Sequence, residues 1–140
     1  NGTRGARAYA EQHKAELANT VLALESDSGG FAPRGFSTGH KDPAAEERMR
    51  ARLADIATLL GPLGPLRVES GYGGTDIEAM APAGVPQVGL DVAGEHYFDY
   101  HHTNADTLDK VDAQDLADMV AATAVLAYVV ADMPGRVDAP

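Results

Sequence analysis

There is no cysteine and no tryptophan among these 140 residues, and aromatic side chains make up only 6%. Without cysteine the chain forms neither a disulfide nor a thiolate metal site, so any metal has to be held by His, Asp or Glu. Basic residues are scarce too. Eleven Lys and Arg stand against 21 Asp and Glu, for a formal net charge of -10. A phosphate backbone is repelled by such a surface, so neither nucleic acid nor an anionic membrane is an expected partner. No apolar run approaches the roughly 20 residues of a membrane span, and no signal peptide opens the chain. An initiating Met is also missing. The polar NGTRG runs straight into a helical pattern, which reads as a piece of something longer.

What is present amounts to one domain, with 44% hydrophobic and 23% charged residues. Residues 3–18 read as a helix with Ala6, Tyr9, Ala10, His13 and Leu17 on one stripe. TVLALE, 20–25, suits a short strand buried on both faces, and SDSGGFAPRGFSTGH after it reads as a long loop. In DPAAEERMRARLADIATLLG, Asp42 caps a helix, Pro43 sits in its first turn, and Gly61 with Pro62 stop it. Met49, Leu53, Ile56 and Leu60 form its buried stripe, while Glu46, Glu47, Arg48, Arg50 and Arg52 read as a solvated face. LRVES (66–70) and VPQVGLDV (85–92) are further strands. A last helix, capped by Asp112 and Asp115, runs to about residue 132, with Leu116, Met119, Val120, Thr123, Ala127 and Val130 on one side. This order makes a layered α/β domain with about three strands and three main helices.

In open α/β sheets ligands sit beyond the carboxyl ends of strands. Two polar loops lie there: ESDSGG after TVLAL, and HHTNAD after VGLDV. Asp27 in the first either binds a cation or caps its own backbone turn. His101 and His102, adjacent on an extended backbone, point to opposite sides, so one is a ligand or base and the other packs, or both are surface residues. Asp99 and Asp106 are candidate partners for the second nitrogen of a metal-bound imidazole. GYGGTDIEAM either lines a pocket with Asp76 or forms a tight turn that Asp76 caps. His13 reads as structural and His40 as solvated.

Together the segments HHTNADT, VLALESDSGGFAPRGF, GGTDIEAMAPAGVPQVGLDV and NGTRGARAYA resemble, in family order, the M28 zinc exopeptidases of the carboxypeptidase Q-like branch. The resemblance implies a three-layer α/β/α fold of which residues 1–140 are the C-terminal part of one catalytic domain. It also implies two zinc ions about 3.5–4 Å apart and a metal-activated water acting on a peptide or dipeptide substrate. By matching position Asp27 would ligate one zinc and His102 the other. His101 and Asp76 would lie at the substrate pocket, and Thr103, Asp106 and Thr107 would steady the loop. The remaining ligands and the general-base Glu fall upstream of Asn1 in the family pattern. The chain alone is therefore expected to be inactive, to expose an apolar edge or face, and to self-associate, with a homodimer as one form. Secretion or a periplasmic location is implied in the same way. Two other readings stand beside this one: a glutaminyl-cyclase-like single-zinc transferase, and a non-catalytic binding or dimerisation module of the same fold.

Overall fold

A computed structural model describes residues 2–140. Helix α1 (Arg4–Gln12) is followed by a 3-10 turn, Leu17–Asn19, and the short strand β1 (Ala23–Glu25). Strand β2 (Pro33–Gly39), helix α2 (Pro43–Thr58) and strand β3 (Arg67–Ser70) come next. A 3-10 segment, Glu78–Ala83, precedes strand β4 (Gln87–Val92). One helical turn, α3 (Tyr97–Tyr100), and the long α4 (Ala113–Asp132) complete the order. The four strands form one sheet in the order β1-β4-β2-β3, mixed because β4 is parallel to β1 and antiparallel to β2. This is the expected α/β class with one strand more. PRGFSTG, read as loop for its glycines and serine, is β2, which pairs with both β3 and β4.

The two faces of the sheet are covered differently. On one, α2 and α4 close a cluster of Phe36, Met49, Leu53, Val88, Leu90, Met119, Ala122, Leu126 and Val130. On the other, Ala23 of β1 joins Leu17, Ile77, Met80 and Val85 from the 3-10 turns and the chain before β4. Successive strand residues point to opposite faces, so Leu24 packs toward the first cluster while Ala23 belongs to the second.

Helix α2 begins as the sequence predicts. The Asp42 side chain accepts the Ala44 amide at 2.9 Å with Pro43 behind it, and Met49, Leu53, Ile56 and Leu60 are buried. Helix α4 departs from its predicted stripe. Asp112 alone caps it, accepting from the Gln114 and Asp115 amides, and the buried line is Met119, Ala122, Leu126 and Val130. Leu116, Val120 and Tyr128 stand exposed. The helix is apolar around most of its girth, so periodicity does not select a face; packing against α2 does. Contrary to the reading of the sequence, α4 is long and apolar enough by length and composition to cross a membrane, with a mean hydropathy of 1.4. Its inner line nonetheless sits in the core shared with α2.

Of the expected solvated face of α2, Glu47 and Arg50 form an exposed pair at 2.6 Å, whereas Arg48 and Arg52 are engaged by the segment after α4 and Glu46 by the sheet. Arg52 donates to the carbonyls of Arg136, Val137 and Ala139, and Arg48 donates to that of Asp138. Glu46 accepts from Thr38 at 3.1 Å and Ser70 at 2.6 Å. Arg136 in turn donates to the carbonyls of Ala18 and Thr20 and pairs with Asp138 at 3.0 Å. His40, read as solvated, has a side chain only 5% exposed, with Nε2 3.4 Å from Asp138 Oδ2 and Nδ1 accepting the Asp42 amide. Burial pushes the Asp138 carboxyl up. The Arg136 hydrogen bond, its own amide and the Arg136 and His40 charges outweigh that and hold it below the usual carboxylate value.

Candidate functional site

Because β1 and β4 are parallel neighbours, their carboxyl ends lie side by side, and the polar loops that leave them meet there. Two cavities share Asp27 and Tyr97 as walls. The first, of about 210 Å³, is lined by Asp27, Phe31, Tyr97, His101, Asp106 and Lys110 among others. The second, of about 200 Å³, has Glu25, Asp27, Ser37, Tyr72, Gly74 and Asp91 on its wall. The Asp27 carboxylate is exposed between them.

The histidine pair is arranged otherwise than expected. Helix α3 stops after one turn, His101 leaves it at φ -50, and His102 takes the left-handed conformation at φ 55. The backbone is therefore not extended, and the two rings stack with centroids 3.9 Å apart at 20° rather than pointing to opposite sides. Tyr97 covers the other face of His101 at 4.4 Å, so three rings form one pile, of which Tyr97 and His101 line the first cavity and the exposed His102 does not. The spacing of four residues between Tyr97 and His101 is the signal that could have revealed this contact. Asp99, a predicted imidazole partner, instead pairs with His96 at 2.8 Å. Thr103 fastens the turn: its hydroxyl donates to the Tyr100 carbonyl at 2.8 Å and accepts the Ala105 amide at 3.2 Å. The Thr107 hydroxyl donates to Asp109 Oδ1 at 2.5 Å and lies 3.3 Å from the Ala105 carbonyl, and the Asp106 amide donates to the Thr103 carbonyl.

On the far side of Asp27, Glu25 ties down the glycine-rich loop. Its carboxylate accepts the amides of Thr75 at 3.1 Å, Asp76 at 2.7 Å and Ile77 at 3.2 Å. Gly74 is required where it stands. It sits at φ +149, and a Cβ there would lie 2.4 Å from the Glu25 carboxyl carbon. Asp76 takes part through its backbone, and its exposed side chain is not among those lining either cavity. Glu25 escaped the sequence reading because its three partners lie 50 to 52 residues away. Asp91 escaped it too. At the end of β4, burial pushes its carboxyl above the usual value, a hydrogen bond with Ser37 pulls it back, and the charge of Glu69 adds to the rise.

The donors on the walls are carboxylates and the His101 imidazole, with the His102 ring stacked against it and no thiolate, which is the ligand chemistry of zinc in a cysteine-free site. Among the described residues no group of three or more His, Cys, Asp or Glu side chains comes together to hold a metal ion. Asp27 and the histidine pair thus fit zinc as single contributions, not as a full coordination set.

Residues 1–127 match the profile of Peptidase family M28. Carboxypeptidase Q of Mus musculus is 39% identical over 132 residues, which is 94% of this chain and 27% of that protein. The Homo sapiens carboxypeptidase Q is 38% identical over 133 residues, with the same coverage. The crystal structure of a Peptidase M28 precursor from Shewanella amazonensis SB2B superposes with a TM-score of 0.80 at 34% identity, covering 96% of this chain and 30% of that one. The chain thus spans a little over a quarter of the length of the curated relatives it matches.

Proposed function

This chain belongs to peptidase family M28, and we propose that it builds one side of the active centre of a zinc-dependent exopeptidase that hydrolyses peptide bonds near a free terminus. The observation that carries this reading is the convergence of Asp27, Tyr97 and His101 on one cavity at the carboxyl ends of β1 and β4, with the exposed His102 ring stacked on His101 at its rim. In this reading Asp27 holds one zinc and His102 the other. When bound, zinc supplies Lewis acidity toward the scissile carbonyl and lowers the pKa of the attacking water.

The chain's own residues do the positioning. His101 and Tyr97 fix the ring plane of His102, Thr103 and Thr107 hold its turn closed, and Glu25 keeps the Gly73–Gly74 backbone against the cavity so that a peptide can lie along it. With one ligand per metal, these 140 residues have no peptidase activity by themselves. The exposed apolar face of α4 gives the chain a surface for self-association, and the kinship to carboxypeptidase Q supports an exported location.

The test is zinc-dependent hydrolysis of a dipeptide panel by a protein that carries this chain at the full length of its relatives, beside its Asp27→Asn and His102→Ala variants. Activity that needs zinc and collapses in both variants supports the reading. Full activity in either variant, or zinc-dependent hydrolysis by residues 1–140 alone, overturns it.

A further inference from the structure

The cavity beside His101 has a single cation among the described residues that line it, Lys110, at the end of the 3-10 turn Leu108–Lys110. Its ammonium pairs with Asp109, which does not line the cavity and whose side chain is 68% exposed, so the pair lies toward solvent. An ammonium carries three donors, and one carboxylate neighbour leaves others free to point inward. Exposed ion pairs of this kind add little stability, so the fold itself does not account for a lysine here. Asp109 does fix its protonation state. The hydrogen bond and charge of Asp109 push the Lys110 ammonium's pKa up, while Lys110 and Thr107 hold the Asp109 carboxyl down to about 2.

Phe31 and Val111 give the same cavity an apolar wall next to Lys110. Asp27 lies in the cavity as well, but in the centre proposed above its charge is taken up by the metal it holds. A substrate group that enters beside His101 therefore meets an apolar surface, the Asp106 carboxylate and, in Lys110, the one charged group among the described lining residues that would attract a carboxylate.

We infer that Lys110 is a specificity-determining residue that binds a carboxylate of the substrate in this cavity. The inference rests on the peptidase reading. The carboxylate has two possible sources, the free α-carboxylate of a short substrate or an acidic side chain beside the scissile bond. The shared chemistry is a charge-assisted hydrogen bond from the lysine.

The experiment measures kcat/KM for Ala-Ala, Ala-Ala-amide and Ala-Glu-amide in a protein carrying this chain at its relatives' length, with Lys110→Met and Lys110→Arg variants. If the α-carboxylate is the source, Ala-Ala exceeds its amide by about ten- to a hundredfold. If an acidic side chain is the source, Ala-Glu-amide exceeds Ala-Ala-amide by a similar factor. In either case Lys110→Met removes the preference while hydrolysis of Ala-Ala-amide stays near the parent rate, and Lys110→Arg keeps most of it. A general loss of folding or metal would lower all three substrates together and would not move these ratios. Zinc-dependent hydrolysis with ratios unchanged in Lys110→Met overturns the role of Lys110 and leaves the peptidase reading standing. Absence of hydrolysis of every peptide in the parent protein overturns both.

Discussion

Replacing Glu25 by alanine should loosen the glycine-rich loop from the sheet and lower the stability of the whole domain. The Glu25 carboxylate is the common acceptor for three consecutive amides, those of Thr75, Asp76 and Ile77, and Ile77 belongs to the second core cluster. A shielded hydrogen bond to a charged group contributes about 1.5–3 kcal/mol. Thr75 and Asp76 are exposed, so water takes over much of their share, whereas Ile77 is 8% exposed and its amide is left without a partner. The total is then about 3 kcal/mol. With an unfolding entropy of roughly 2.1 cal/mol/K per residue, a chain of this length loses about 10 °C in Tm. Glu25→Gln keeps one carbonyl acceptor and should cost about half as much. Thermal denaturation followed by circular dichroism gives the Tm, and amide hydrogen exchange at residues 75–77 reports the loop directly. A fall in Tm under about 2 °C in Glu25→Ala, with exchange at those three amides unchanged, refutes the reasoning.

Other perturbations separate the core, the tail and the site. Leu126, fully buried between α4 and the sheet, should cost about 2–5 kcal/mol when cut to alanine, read by urea denaturation; a change under about 1 kcal/mol would mean the helix is packed on a different face. Asp138 has its folded pKa held below the unfolded value, so its contribution is present above the unfolded pKa and lost as pH falls through the folded one. Stability measured against pH should therefore drop more steeply on acidification in the parent chain than in Asp138→Asn, and parallel profiles would remove Asp138 from the account. His102→Gly relieves a left-handed residue worth about 1 kcal/mol, offset by the freedom glycine gains when unfolded, so stability should stay within about 1 kcal/mol of the parent. In the full-length context the same variant should abolish zinc-dependent hydrolysis, and retained hydrolysis would remove His102 from the metal.

The elements that could be read from the sequence are those whose signals are local. Asp42 and Pro43 announce α2 within two residues, and the short stretch VPQVGLDV (85–92) holds strand β4. What the sequence hid depends on partners far along the chain. Arg52 looks like any solvated helix arginine until the carbonyls of residues 136–139 arrive 84 to 87 positions later. His40 looks like a loop histidine until Asp138 covers it. Strand β2 is poor in β-branched residues and owes its conformation to being flanked on both sides by other strands. At the site, the motif residues could be placed beforehand, but their mutual geometry could not. A histidine at φ 55 has no sequence signature, and that one dihedral turns two opposed rings into a stack.

The Arg136 guanidinium joins parts of the chain separated by up to 118 positions, since it holds the carbonyls of Ala18 and Thr20 together with the carboxylate of Asp138. During synthesis at 5–20 residues per second, Ala18 waits roughly 6–24 s after it is made before that guanidinium exists. Until then the turn at Leu17–Asn19, the buried imidazole of His40 and the outer arginines of α2 all lack the groups that fasten them. The turn that carries His102 is fastened by bonds two or three residues in range, and the Glu25 bonds to the glycine-rich loop need nothing beyond residue 77, so neither has such a wait. A nascent chain would thus shape its site before its framework is locked, and a ribosome stalled before residue 136 would display a loosely anchored domain.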